Sequence, residues 1–263
     1  MNLIHAILLG IIEGLTEFLP ISSTFHLLAA TKILGIPNTD FSTFFAVFIQ
    51  AFAIVPVIFL FGREWLNDKQ ILLKVLVSFI PTAVVGLVLN KVIKEVFFAS
   101  PWLMLASFFT VGLLFLGVEL LIKKEKFQLK HSIADMSWIQ AFMIGVIQAF
   151  AVVPGVSRAG AVIVGMMLFG FKRDEAAKYS FTLAVPTILA AAGLDLIKSR
   201  SVLTGGAMSQ NLLLLSAGSI TAFISSFIIV NWFIKYLKTH SLNIFGGYRI
   251  VMAGVLLALG FTR

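Results

Sequence analysis

Long apolar stretches dominate this chain of 263 residues. A membrane-spanning helix needs about 20 mostly apolar residues, because the hydrocarbon core of a bilayer is about 30 Å thick. Six stretches reach that length with few charged side chains: 42–62, 71–92, 101–122, 176–197, 211–236 and 244–261. The pattern predicts about six transmembrane helices.

Two further apolar stretches, 3–31 and 138–171, are each interrupted near the middle by a polar segment that contains proline. The interruptions read GIIEGLTEFLPISSTFH over 10–26 and GVIQAFAVVPGVSRAG over 145–160. Irregular backbone is tolerated at membrane depth only where protein or water covers it. Each stretch is therefore predicted to form a re-entrant helix-loop-helix hairpin.

The two interruptions can be overlaid with one gap, so the chain contains an internal repeat offset by about 135 residues. The overlay places Gly10 on Gly145, Glu13 on Gln148, Pro20 on Pro154 and Ser23 on Ser157. Each repeat, about 1–123 and about 138–263, then contains one hairpin and three spans. Because three is odd, the second copy must be inverted. We expect one all-α integral membrane domain, 1–263, in which the hairpin loops meet near the middle of the membrane.

Composition excludes an ordinary soluble protein, because 59% of the residues are hydrophobic, 12% are charged and the mean hydropathy is +1.03. Soluble domains are about 45–50% apolar and about 25% charged. The sequence has no cysteine, which excludes a disulfide framework, thiolate metal sites and a cysteine nucleophile.

The net charge of +8 is expected in cytoplasmic loops beside anionic lipid headgroups, and no nucleic-acid partner is predicted. Thirteen basic residues fall on one side of the predicted topology: Arg63, Lys69, Lys74, Lys123, Lys124, Lys126, Lys130, Lys172, Arg173, Lys178, Lys235, Lys238 and Arg249. Six fall on the other: Lys32, Lys91, Lys94, Lys198, Arg200 and Arg263. The positive-inside rule predicts a multi-pass protein of the inner (plasma) membrane with both termini outside.

Two acidic residues, Glu13 and Glu17, lie four apart in the first interrupted stretch, so a helix places them on one face with Cβ atoms about 5–6 Å apart. An acidic residue at the centre of a bilayer costs about 2.5–3.5 kcal/mol, which makes the pair a functional candidate. The carboxylates could share a divalent cation, share a proton or pair with Arg158.

Three hydroxyls and an imidazole, from Ser22, Ser23, Thr24 and His26, follow Pro20. A hydroxyl beside a base is a nucleophilic arrangement. The same hydroxyls, together with free amides at the start of a helix, could instead bind an anion or only cap the helix. These alternatives stay open.

Arg158 follows Pro154, Gly155 and Ser157 in the second interruption. The planar guanidinium binds carboxylate or phosphate in a bidentate manner, and a glycine lets the backbone approach a ligand closely. We favour phosphate binding over a purely structural pairing with Glu13 or Glu17.

Two motifs, EGLTEFLPISSTFH over 13–26 and PGVSRAGAV over 154–162, resemble those of the undecaprenyl-diphosphate phosphatase family, also called BacA or UppP. The resemblance extends over about residues 6–261 and is supported by FIQAFAIV around Gln50, FIPTAVVGLVL around Pro81 and YSFTLAVP before Thr187. It implies an enzyme that hydrolyses undecaprenyl diphosphate to undecaprenyl phosphate and inorganic phosphate. That reaction recycles the lipid carrier of cell-wall synthesis and is associated with bacitracin resistance.

The resemblance also implies roles for particular residues. It identifies Glu13 and Glu17 with a divalent-metal site for Mg²⁺ or Ca²⁺. The catalytic candidates are Glu17, Ser23, His26 and Arg158. The substrate-binding candidates are Ser22, Thr24, Gly155, Ser157 and Arg158. A polyprenyl diphosphate lipid is the expected substrate, and a second copy of the chain, forming a homodimer, is a candidate partner.

Three residues depart from the family pattern: Phe25 stands in place of glycine, Ala159 in place of serine and Val162 in place of threonine. We expect Phe25 to narrow the first loop or shift its backbone. The two lost hydroxyls are expected to remove hydrogen bonds to the diphosphate.

A polyprenyl-phosphate flippase or an ion-coupled transporter is the alternative function, because inverted repeats with broken helices are typical of transporters. Such a protein needs an anion site but no nucleophile. Ser23 close to His26 therefore favours the enzyme.

Overall fold

The computed structural model of the chain describes residues 1–93, 96, 100–126, 128–198 and 208–262. Its α-helices are α1 (Leu3–Thr16), α2 (Ser23–Ile33), α3 (Asp40–Ala53), α4 (Val55–Asn67), α5 (Lys69–Val88), α6 (Asn90–Val92), α7 (Pro101–Lys123), α8 (Trp138–Ala149), α9 (Arg158–Leu168), α10 (Arg173–Lys198), α11 (Met208–Leu237) and α12 (Asn243–Ala258). The predicted all-α architecture of a multi-pass membrane protein is confirmed.

Five helical stretches are long and apolar enough to span a membrane among the residues described: Asp40–Trp65, Lys69–Val88, Pro101–Lys123, Arg173–Lys198 and Ser209–Leu237. They coincide with five of the six predicted spans.

The sixth predicted span, 244–261, contains the shorter helix α12, whose 16 residues extend only about 24 Å. The reason is a left-handed turn at Gly260, with φ +74°. There the amide of Gly260 donates to the carbonyl of Leu257 and the amide of Phe261 donates to that of Leu256, a common helix C-terminus.

Both interrupted stretches form helix-loop-helix hairpins, as predicted. In the first hairpin, α1 and α2 are joined by residues 17–22, which we call the first loop. In the second, α8 and α9 are joined by residues 150–157, the second loop.

Ser22 and Ser157, which directly precede α2 and α9, have positive φ angles of 66° and 74°. This shared conformation makes Ser22 the structural counterpart of Ser157. The sequence overlay, which paired Ser23 with Ser157, is therefore shifted by one residue at this point.

The two hairpins open towards opposite ends of α12. Lys32, near the end of α2, donates to the carbonyl of Phe261 just after α12. Glu119 accepts from Arg173, which lies soon after α9, and from the amide of Leu242, just before α12. The hairpins thus enter the helix bundle from opposite ends, which is the arrangement that an inverted repeat predicts.

Each hairpin packs against a long helix of the other half: α1 lies along α11, and α8 lies along α5. Glycines permit this close approach, because a Cβ at Gly10 or Gly14 would overlap backbone atoms of α11 and one at Gly145 would overlap the backbone of Ser78. The contacts bring the tips of both hairpins to the middle of the bundle.

Two of the basic residues assigned to the cytoplasmic side are buried instead. Lys74 on α5 is 8% exposed, and Arg249 on α12 is 0% exposed. On the opposite side, Lys94, Arg200 and Arg263 lie outside the described residues.

Candidate active site

A polar cavity of about 170 Å³ lies where the first and second loops meet. The polar side chains and the glycine that line it are Glu17, Ser22, Ser23, Thr24, Gln50, Gly155, Ser157, Arg158 and Thr187. Every residue predicted to bind substrate is among them. Of the four predicted catalytic residues, Glu17, Ser23 and Arg158 line the cavity and His26 does not.

Glu17 joins the two loops through both of its carboxylate oxygens. Its Oε1 accepts from Nη2 of Arg158 at 2.9 Å, and its Oε2 accepts from the hydroxyl of Ser23. The side chains of Glu17 and Arg158 are only 8% and 12% exposed. A base, a hydroxyl and a cation are therefore in direct contact within a largely enclosed space.

Arg158 has two further donors, Nε and Nη1, which are buried and have no hydrogen-bond partner among the described residues. An unsatisfied buried donor costs about 1–3 kcal/mol, and more when it is charged. A phosphate is the acceptor that suits such a fork, because it can take two parallel N–H bonds.

Both α2 and α9 begin at the cavity, so their first-turn amides add positive partial charge there. Ser157 caps α9, where its hydroxyl accepts from the amide of Gly160 at 3.1 Å. The positive φ angles of Ser22 and Ser157 each cost about 1–3 kcal/mol, and such strain is typical of ligand-binding turns. Two helix N-termini and one guanidinium make this cavity a candidate anion site.

Gly155 also has a positive φ of 95°, and a Cβ there would overlap the backbone of α7 at Met104. The hydroxyl of Ser107 on α7 donates to the carbonyl of Pro154 at 2.5 Å. These contacts hold the second loop against α7, so that Ser157 and Arg158 project from a fixed backbone.

Glu13 lies one helical turn before Glu17 and is 0% exposed. Both of its carboxylate oxygens lack a hydrogen-bond partner among the residues described, whereas both oxygens of Glu17 are engaged. Within the same residues, no cluster of three or more His, Cys, Asp or Glu side chains could hold a metal. Mg²⁺ commonly needs only one or two carboxylates besides water and substrate phosphates, so the free oxygens of Glu13 fit such a partial ligand set.

His26 does not contact the hydroxyl of Ser23, contrary to the expected serine and histidine arrangement. Its Nδ1 bonds to the carbonyl of Ser22 at 2.8 Å, and its Nε2 bonds to the hydroxyl of Tyr248 at 2.6 Å. The reason is helical geometry, because a residue four positions into a helix turns back towards the carbonyl that precedes it. The base in contact with Ser23 is Glu17.

The three departures from the family pattern lie away from the cavity. Phe25 is fully buried and stacks on Phe108 of α7, with ring centroids 3.8 Å apart. Ala159 and Val162 are buried in the core between helices. Phe25 therefore fills space beside α7 instead of narrowing the cavity, and positions 159 and 162 do not line the site.

Sequence reasoning missed two polar residues that line the cavity and the buried cation that lies behind the loops. Gln50 on α3 and Thr187 on α10 line the cavity, and both lie in or beside the stretches that carry the family resemblance. Arg249 lies behind the loops, whereas the charge pattern of the sequence predicts a cytoplasmic loop charge at this position. Its position in the second turn of α12, facing α7, explains why its charge is buried.

The helices, the two opposed hairpins and the buried guanidinium, carboxylate and hydroxyl groups define a multi-pass membrane protein with an internal candidate anion site. The family model described as Bacitracin resistance protein BacA matches residues 6–255, and the chain belongs to that family.

Similar proteins share nearly the whole length of the chain. It is 42% identical to the undecaprenyl-diphosphatase of Aquifex aeolicus over 94% of each chain. It is 41% identical to that of a Sulfurihydrogenibium species over 99% of this chain and 100% of the relative. It is 36% identical to that of Methanococcus aeolicus over 100% of both. The resemblance inferred from the two motifs is thus confirmed.

Proposed function

We propose that this protein hydrolyses undecaprenyl diphosphate to undecaprenyl phosphate and inorganic phosphate, and so returns the lipid carrier to cell-wall synthesis. The observation that carries the proposal is the contact of Glu17 with both Ser23 and Arg158. The names of the similar full-length proteins support the same reaction.

Arg158 and the amides that begin α2 and α9 bind the diphosphate, and the hydroxyls of Ser22, Thr24 and Ser157 contact its oxygens. Phosphoryl transfer spreads negative charge over the equatorial oxygens of the transferred group. Fixed donors in an enclosed site stabilise that charge without reorganisation. The lipid tail remains among the apolar helices.

Glu17 is the general base in this proposal. Ser23, or a water molecule that it holds, attacks the terminal phosphorus while its proton passes to Glu17. The bond from that phosphorus to the bridging oxygen breaks, and undecaprenyl phosphate leaves with the proton that Glu17 received. When water is the attacking group, inorganic phosphate forms in this step. When Ser23 attacks, water then attacks the phosphoserine, Glu17 passes the proton of that water to the departing oxygen of Ser23, and inorganic phosphate is released. General base catalysis of this kind contributes about 10²–10⁴-fold to the rate.

We further propose that Glu13 and Glu17 hold a divalent cation, Mg²⁺ or Ca²⁺. When bound, such an ion neutralises charge on the phosphate oxygens. The free buried oxygens of Glu13 support this assignment.

Transport without hydrolysis is less well supported. A flippase for polyprenyl phosphate needs the anion site but no activated hydroxyl, and the hydrogen bond from Ser23 to Glu17 supplies one. Phosphate release that is lost in Ser23→Ala favours hydrolysis, whereas lipid movement that survives this change without any release favours transport.

The proposed location is the inner (plasma) membrane, with both termini outside and the first hairpin entering from that side. The homodimer remains a prediction. It is tested by the mass of the purified protein after subtraction of bound detergent, and a monomer would contradict it.

The decisive experiment measures phosphate release from undecaprenyl diphosphate by purified protein in detergent, with Mg²⁺, with Ca²⁺ and with chelator. Glu17→Gln and Arg158→Ala should lose at least about 100-fold in rate. The exposed residues Glu64 and Arg63 provide matched controls, because Glu64→Gln and Arg63→Ala should retain the wild-type rate. A folded wild-type protein that releases no phosphate under any of these conditions would overturn the proposal.

A further inference from the structure

Arg249 is a fully buried cation whose bonds all go to backbone carbonyls. Its exposed fraction is 0%, and it takes part in none of the ion pairs found among the described residues. A buried charge is costly unless hydrogen bonds compensate it. The hydrogen bonds of this guanidinium therefore indicate the structural role of the buried charge.

The guanidinium of Arg249 links three separate segments. Its Nε donates to the carbonyl of Phe108 on α7 at 3.0 Å, and its Nη1 donates to that of Pro20 in the first loop at 3.0 Å. Its Nη2 donates to the carbonyls of Gly155 and Val156 in the second loop. The ring of Phe108 also faces the guanidinium, at 4.4 Å from its centroid.

These bonds orient the loops because a peptide unit is planar, with its carbonyl and its amide pointing in opposite directions. The carbonyl of Val156 points to Arg249, so the amide of Ser157 points away from it. Ser157 lines the cavity, whereas Arg249 does not. The hydrogen bonds of Arg249 can therefore persist while substrate is bound in the cavity beside Arg158 and Glu17.

We propose that Arg249 is a positioning residue that holds the first and second loops in register, so that Glu17 and Ser23 on one side face Arg158 on the other. The proposal rests on the proposed function for its catalytic readout, but the register itself can be measured without catalysis. The directional fork of the guanidinium carries this role, because lysine offers a compact charge that cannot reach carbonyls on three segments in fixed directions.

Two substitutions at Arg249 and one at Arg173 separate positioning from general stability. Arg249→Met removes every bond of the guanidinium, and Arg249→Lys keeps only the charge. Arg173→Met is the matched control, because Arg173 bonds the buried Glu119 near the end of α7 and lies beyond the end of α9 that is away from the second loop. All three variants are expected to melt at a lower temperature than the wild type.

The kinetic readout is kcat against KM for phosphate release. Misplacement of reacting groups by about 1 Å costs about 100-fold in rate, so Arg249→Met should lose about 100-fold in kcat. Its KM should change by less than about threefold, because Arg158 and the lipid-binding surfaces remain. Arg249→Lys should match Arg249→Met, and Arg173→Met should keep the wild-type kcat. A wild-type kcat in either Arg249 variant would overturn the proposal.

The second readout is a distance. Because the sequence has no cysteine, Ile33→Cys and Leu168→Cys provide two unique spin-label sites, exposed by 69% and 42% at the outer ends of α2 and α9. Each helix has 11 residues, so the labels lie roughly 30 Å apart. Pulsed electron resonance should give one narrow distance in this background and after Arg173→Met, and a broadened or shifted one after either Arg249 substitution.

The two readouts distinguish the two proposals. An unchanged distance distribution in Arg249→Met refutes the positioning role, whatever the activity. The other outcome is a changed distance distribution in Arg249→Met together with a wild-type protein that releases no phosphate. This result supports the positioning role of Arg249 and refutes the phosphatase activity.

Discussion

The hydrogen bonds of His26 determine which of its nitrogens carries the proton. A backbone carbonyl can only accept, so Nδ1 must donate to Ser22, and in the neutral ring Nε2 then accepts from Tyr248. Both nitrogens are engaged, and the ring stacks on Tyr248 with centroids 5.7 Å apart. We infer that His26 fixes the strained turn at Ser22 instead of taking a proton from Ser23.

The variant His26→Asn tests this role. Its side-chain amide places an N–H close to the position of Nδ1, so the bond to the carbonyl of Ser22 is retained and kcat should stay within about tenfold of wild type. His26→Ala, which lacks that donor, should lose more. Steady-state phosphate release measures both. If the asparagine variant falls by 100-fold or more, as a lost general base would, the ring takes part in proton transfer.

Functional side chains could be predicted from the sequence where a charged residue interrupts an apolar stretch. Glu17 and Arg158 are conspicuous for that reason, since burying them in a membrane is costly. Arg249 is not, because it lies near the start of an apolar stretch, where a basic residue usually belongs to a loop. Only the packing of α12 on α7 shows that its charge is internal.

At the scale of elements, glycines set the distance between each hairpin and its supporting helix. A Cβ at Gly14 of α1 would overlap Ser225 and the carbonyl of Ala222 on α11. A Cβ at Gly117 of α7 would meet nothing within 4 Å. The same substitution at the two positions should therefore have opposite effects.

We expect Gly14→Ala to lower the free energy of unfolding by about 1–3 kcal/mol, as overpacking does, and to reduce phosphate release because Glu17 directly follows α1. Gly117→Ala should be neutral or stabilise the helix by up to about 1 kcal/mol. Thermal unfolding in detergent compares the two. Equal melting temperatures would contradict the close packing of α1 on α11.

Hairpins were predictable because proline and polar residues interrupt otherwise continuous apolar stretches. The end of α12 was not, because the left-handed turn at Gly260 has no distinct signal among the glycines of apolar helices. The overlay of the repeats was displaced by one residue for a similar reason. It matched residue types, whereas Ser22 and Ser157 correspond through their backbone conformation.

At the scale of the whole molecule, the hairpins open towards opposite ends of the bundle, and the charge distribution predicts which end is outside. Asn38, between α2 and α3, belongs to the end where the first hairpin opens, and Lys126, after α7, belongs to the other end. Both residues are exposed.

Single cysteines at these positions test the orientation. A membrane-impermeant maleimide added to intact spheroplasts should label Asn38→Cys directly and Lys126→Cys only after permeabilisation. The cysteine-free wild type is the control for background labelling. The reverse pattern would place the termini in the cytoplasm and contradict the assignment from positive charge.

The ion pair of Glu17 with Arg158 crosses the boundary between the two halves of the chain, with an evolutionary consequence. If the repeat arose by duplication, an ancestor built from two copies of the present first half would bring together acids without an arginine. Two copies of the second half would bring together arginines without acids. Once the duplicates diverged in this way, neither could be lost or replaced by the other. A working site then required one half of each kind.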